Sequence, residues 1–67
     1  LSEDHSPNVL NHEQINAMPM GVDDAVMQLE LNESQNVFFF TNQETDTLNA
    51  LYRRPDGALS WIEPEAQ

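Results

Sequence analysis

The sequence predicts an α+β domain in which one helix packs on a small antiparallel sheet. Three observations carry this. Only residues 22–31 combine a helical spacing of apolar side chains with a start and a stop signal. Three β-prone stretches follow, separated by turn-rich connections. A length of 67 residues leaves room for one domain. The expected organisation is a polar tail with a weak N-terminal strand or arm over residues 1–17, the folded domain over 18–64, and a short tail over 65–67.

Residues 1–8 are almost uninterruptedly polar, and within 9–17 only Val9, Leu10 and Ile15 are large and apolar, so this stretch is expected to be extended at most. Met18-Pro19-Met20 enforces an extended step, because the residue before proline is pushed out of the helical region. Gly21 is an acceptable N-cap, and Asp23 and Asp24 fall in the first turn, where the helix dipole favours carboxylates. Val22, Ala25, Val26 and Leu29 form one stripe suited to packing on a sheet. Met27 and Leu31 lie off that stripe, as surface residues or as a second seam buried by a partner.

Val37-Phe38-Phe39-Phe40-Thr41 is a continuous β-prone run that would be buried on both sides of a sheet. Phe38 and Phe40 point one way, Val37 and Phe39 the other. One helix covers one face, so a second chain is expected on the other. After a turn-rich loop, residues 47–53 place Leu48, Ala50 and Tyr52 on one side and Asn49, Leu51 and Arg53 on the opposite side. Arg54-Pro55-Asp56-Gly57 specifies a hairpin turn: proline suits its second position, aspartate bonds back to the main chain, and glycine accepts positive φ. In the return strand Leu59 and Trp61 oppose Ser60 and Ile62.

Composition narrows function. Two basic residues against twelve acidic ones give a net charge of −10, too little positive charge for direct binding to phosphate backbones or anionic membranes. With no cysteine, disulfides and thiolate metal sites are excluded. A domain this short buries only about 60% of its unfolded surface, so oligomerisation is the expected source of added stability. No apolar run approaches the roughly 18 residues of a membrane helix. Because the chain opens on Leu1, it is expected to be a processed protein or a piece of a longer one.

No constellation supports catalysis or a cofactor. Asp23, Asp24 and Glu30 share a helix but not a face, which favours a solvated acidic surface over a metal site. His5 and His12 lie in the least structured part of the sequence, without the rigid scaffold a catalytic base needs. The two glycines are accounted for by a cap and a turn, leaving no phosphate loop. For Arg53 and Arg54 the expectation is one arginine paired with carboxylates and the other in solvent.

Several stretches carry a resemblance: Pro19-Met20-Gly21-Val22-Asp23-Asp24-Ala25-Val26-Met27-Gln28-Leu29-Glu30, Phe38-Phe39-Phe40-Thr41-Asn42, Glu44-Thr45, Asn49-Ala50-Leu51-Tyr52-Arg53-Arg54, Asp56-Gly57 and Ile62-Glu63-Pro64. Together they resemble the C-terminal domain of the long-form bacterial ribosome hibernation promoting factors, the sigma-factor modulation or ribosome-associated translation inhibitor family. Asp46 stands where that family has a loop glycine, so left-handed backbone is expected there, at an aspartate.

The resemblance implies a cytoplasmic, non-catalytic domain that homodimerises through its sheet. A separate basic domain of the parent would bind the ribosome, and dimerisation would tether two ribosomes into an inactive pair during stress. The interface would draw on Val37, Phe39, Leu51 and Ile62, or alternatively on Phe38, Phe40, Tyr52 and Trp61, with Met27 and Leu31 on the helix as a further seam. Two other classes remain open: a strand-addition adaptor for another protein, motivated by the free edges of a short sheet, and an acidic decoy that mimics nucleic acid.

Overall fold

A computed structural model describes residues 11–66. It contains β1 (Pro19–Met20), α1 (Val22–Leu31), β2 (Val37–Asn42), β3 (Thr47–Arg53) and β4 (Leu59–Ile62). The strands form one sheet in the order β1-β2-β3-β4. The last three make the expected antiparallel meander, and β1 adds a short parallel strand beside β2. The fold is thus α+β, one helix on one face of a mixed sheet.

Of the expected N-terminal strand or arm over residues 9–17, the described part is an arm rather than a strand. Residues 9 and 10 lie outside the described residues, and 11–17 form no regular element. The pairing begins at Pro19, where the extended step enforced by Met18-Pro19 lets the chain reach β2. Thr41 fixes this junction: its amide N–H donates to the Met18 carbonyl at 3.0 Å and its hydroxyl to the Ala17 carbonyl at 2.7 Å.

α1 begins and ends where its signals place it. Gly21 is the N-cap with extended backbone (φ −80°), and Asn32 is the C-cap, its N–H donating to the Leu29 carbonyl at 3.2 Å. The helix lies across β2 and β3. Ala25 and Leu29 are fully buried against Phe40 and Leu51, with Val22, Val26, Phe38 and Leu59 packed around them. Phe38 and Phe40 stack along β2 with ring centroids 6.3 Å apart. Burying one such side chain contributes roughly 1.5–3 kcal/mol, so this cluster is the main apolar driving force of the fold.

Both loops have the chemistry the sequence specifies. At 54–58 the Gly57 N–H donates to the Arg54 carbonyl at 2.9 Å, closing the turn with Pro55 second. The Asp56 carboxylate accepts from the Ala58 N–H at 3.0 Å, and Gly57 has φ 92°. In the β2–β3 loop Asp46 takes φ 58°. The buried Asn42 supports that loop by accepting the Glu44 N–H on its side-chain oxygen at 2.9 Å.

Arg53 corrects an expectation. Among the described residues its guanidinium meets no carboxylate; it donates to the main-chain carbonyls of Leu29 (2.8 Å), Gln35 (2.7 Å) and Glu33 (3.1 Å). The helix has no basic residue in its own last turn, so β3 supplies the cation that the negative end of the dipole attracts. Arg54 lies at 4.0 Å from Asp56, both side chains being more than half exposed.

Candidate interface on the open sheet face

The face of the sheet turned away from α1 follows from the register. Residues opposite each other in an antiparallel pair share a face. Val37 pairs with Tyr52, Phe39 with Ala50, and Thr41 with Leu48. Across the next pair, Ala50 meets Ile62 and Tyr52 meets Ser60. The open face is therefore Val37, Phe39, Thr41, Leu48, Ala50, Tyr52, Ser60 and Ile62. None of them is charged, in a chain of net charge −10.

The large apolar members of this face are all exposed, Phe39 at 36%, Tyr52 at 42% and Ile62 at 54%. Ala50, small and set between Phe39 and Ile62, is buried beneath its neighbours. Phe39, Leu48, Ala50 and Ile62 with Pro64 line a shallow concavity bordered by Glu63. Contiguous exposed apolar surface of this kind is uncommon on monomers and points to an interaction surface.

The two alternative groupings of residues drawn from the sequence each exchange one member. Leu51 pairs with Phe38 and Trp61, so it belongs to the helix-covered face, where it is buried. Tyr52 pairs with Val37 and belongs to the open face. Of the candidate interface residues, Val37, Phe39, Tyr52 and Ile62 share the open face. Phe38, Phe40 and Leu51 are committed to packing against α1. Trp61 lies on the helix side of β4, half exposed, its indole N–H donating to Asn49 Oδ1 at 2.9 Å. Met27 and Leu31 are exposed on α1, on the opposite side of the sheet from the open face. Leu48 and Ala50 were not among the candidates, although their alternation with Tyr52 along β3 would have placed them there.

Behind the open face a polar network holds the strands in register. Asn49 Oδ1 accepts from both Trp61 and the Asn42 amide (3.0 Å), and the Asn49 amide donates to Thr47 Oγ1 at 3.1 Å. Asn42 and Asn49 are almost completely buried, and among the described residues no buried side-chain polar atom lacks a partner. This matters because a one-residue slip would exchange the two faces of a strand. Among the described residues no group of three or more histidine or acidic side chains is placed to hold a metal ion. No helix among them is long and apolar enough to cross a membrane.

Residues 4–60 match the family described as the sigma 54 modulation/S30EA ribosomal protein C terminus. The chain belongs to this family. It is similar to the ribosome hibernation promotion factor of Bacillus subtilis (strain 168), 36% identical over 64 residues. That alignment covers 96% of this chain and 33% of the relative. The ribosome hibernation promotion factor of Rhizobium meliloti (strain 1021) is 33% identical over 63 residues, covering 94% of this chain and 33% of that protein. The chain thus spans about a third of the length of the curated relatives it matches. The stretch Tyr52-Arg53-Arg54-Pro55-Asp56-Gly57, part of the resemblance read from the sequence, spans the end of β3 and the hairpin turn, where Arg53 secures the helix terminus and Asp56 and Gly57 form the turn.

Proposed function

We propose that this domain is a non-catalytic homodimerisation module acting through its open sheet face. Within a longer cytoplasmic protein of this family it would bring two ribosomes into an inactive pair during stress or stationary phase. The ribosome itself would be held by another domain of the parent. The observation that carries the reading is the segregation of charge: the carboxylates of the described residues lie on the helix, the loops and the termini, and the open face has none. An apolar patch with charge only at its border, at Glu63, lets two acidic chains meet without setting carboxylates against each other across its centre. A two-fold contact uses the same patch twice, and the names of the relatives supply the ribosomal context.

The strand-addition and decoy readings predict other outcomes in the same experiment. Wild-type chain and Phe39→Asp, compared by size-exclusion chromatography with light scattering, should give about 15 kDa (twice 7.6 kDa) and 7.6 kDa respectively. Circular dichroism should be alike, because Phe39 lies outside the buried core. A wild-type chain that is monomeric and folded at high micromolar concentration would remove the proposal.

A further inference from the structure

Asp56–Gly57 is the one place in the chain where an aspartate or asparagine precedes glycine. The absence of a side chain on the following residue leaves its main-chain nitrogen open to attack the carboxyl carbon. Both residues are exposed at the tip of the β3–β4 hairpin. Every other aspartate is followed by a residue with a side chain: His5, Asp24, Ala25 or Thr47.

We infer that Asp56 is a site of spontaneous isoaspartate formation, that the closed hairpin turn restrains it, and that conversion releases the edge strand β4. In the reaction the Gly57 nitrogen bonds to Asp56 Cγ. The amide proton and a carboxyl hydroxyl leave as water, and a five-membered succinimide forms. Water then adds at the former main-chain carbonyl carbon and breaks its bond to the Gly57 nitrogen. The chain now runs through Cβ and Cγ, the old main-chain carbonyl has become a pendant carboxylate, and the net composition is unchanged. No oxidant or other reagent is required.

Three hydrogen bonds oppose the first step. The Gly57 N–H is engaged with the Arg54 carbonyl at 2.9 Å, and the Asp56 carboxylate is held by the Ala58 N–H at 3.0 Å. The Arg54 N–H closes the loop onto the Ala58 carbonyl at 2.8 Å. Attack requires the nitrogen to leave its acceptor and the carboxyl to swing away from Ala58, so the reaction proceeds through local opening of the hairpin. Afterwards the extra main-chain carbon no longer fits these closures. β4 has four residues and, among the described residues, β3 as its only strand neighbour, so a lengthened turn frees the strand that carries Leu59, Trp61 and Ile62.

The test is to age the chain at neutral pH and 37 °C, native and in urea, and to map isoaspartate by peptide mass spectrometry with isoaspartyl methyltransferase labelling. Conversion should concentrate at Asp56 and run about tenfold slower in the native sample, reflecting the cost of opening the hairpin. Asp56→Glu, whose longer side chain would have to close a six-membered ring, should abolish it. The purified converted fraction should lose amide-exchange protection in β4 and shift the fluorescence of Trp61, the single tryptophan. Equal rates in both solvents, conversion spread over all aspartates, or a converted fraction with β4 still protected would overturn the inference.

Discussion

Arg53→Ala should unfold this domain more readily than any other change at a partly exposed residue. Its guanidinium donates to three carbonyls at 2.7–3.1 Å, joining the C-terminus of α1 and the following loop to the end of β3. A hydrogen bond to a charged group contributes about 1.5–3 kcal/mol in a buried setting, which partial exposure reduces to roughly 0.6 kcal/mol each. Three such bonds and the helix-dipole interaction together give about 2–3 kcal/mol. For a domain of this size the core supplies only about 3–5 kcal/mol, so most of the stability is at stake. The expected fall in Tm is about 10–20 °C. Arg53→Lys keeps the charge but not the fork, and should recover about 1 kcal/mol. Arg54→Ala, which among the described residues breaks only an exposed 4.0 Å pair, should cost less than about 0.5 kcal/mol. Urea melts followed by Trp61 fluorescence, at one protomer concentration, measure all three. If Arg53→Ala and Arg54→Ala lose the same small amount, the capping argument is wrong.

Other consequences separate the two faces of β2 and probe the loops. Phe40→Ala removes a fully buried ring beneath α1 and should cost about 3–5 kcal/mol, leaving the chain largely unfolded by circular dichroism. Phe39→Ala should instead leave a folded chain whose self-association is weaker by roughly 1–2 kcal/mol, counted over both copies and read by sedimentation. Asp46→Val places a β-branched residue at φ 58° and should lower stability in urea melts by about 1–2 kcal/mol, whereas Asp46→Gly should change it by less than about 0.5 kcal/mol.

Features determined within a few residues were legible in the sequence. The cap at Gly21, the stop at Asn32 and the Pro55-Asp56-Gly57 turn each follow from local main-chain chemistry, and each is where it was expected; the left-handed Asp46 was expected through the family resemblance. What the sequence leaves open depends on registers set by distant parts. Alternation within β2 and within β3 was readable, but which side of one strand joins which side of the other is fixed by the pairing of Phe39 with Ala50. Hence Leu51 and Tyr52 fell on each other's faces. A two-residue parallel strand such as β1 has no periodicity to read. Arg53 could not be assigned to Leu29 because its partners are main-chain carbonyls up to 24 residues away, which every residue possesses.

The four candidates that do share the open face, Val37, Phe39, Tyr52 and Ile62, were recognised through the demand for a cover on both sides of β2. Their grouping with Leu48 and Ala50 needed the sheet itself.

The central claim is that the uncharged open face joins two copies of the chain. Sedimentation equilibrium from nanomolar to high micromolar concentration, at low and at high salt, tests it most directly. The account predicts a monomer–dimer equilibrium that holds or tightens as salt rises, because apolar burial strengthens while repulsion between two chains of charge −10 is screened. A folded monomer of 7.6 kDa at every concentration and salt would contradict it.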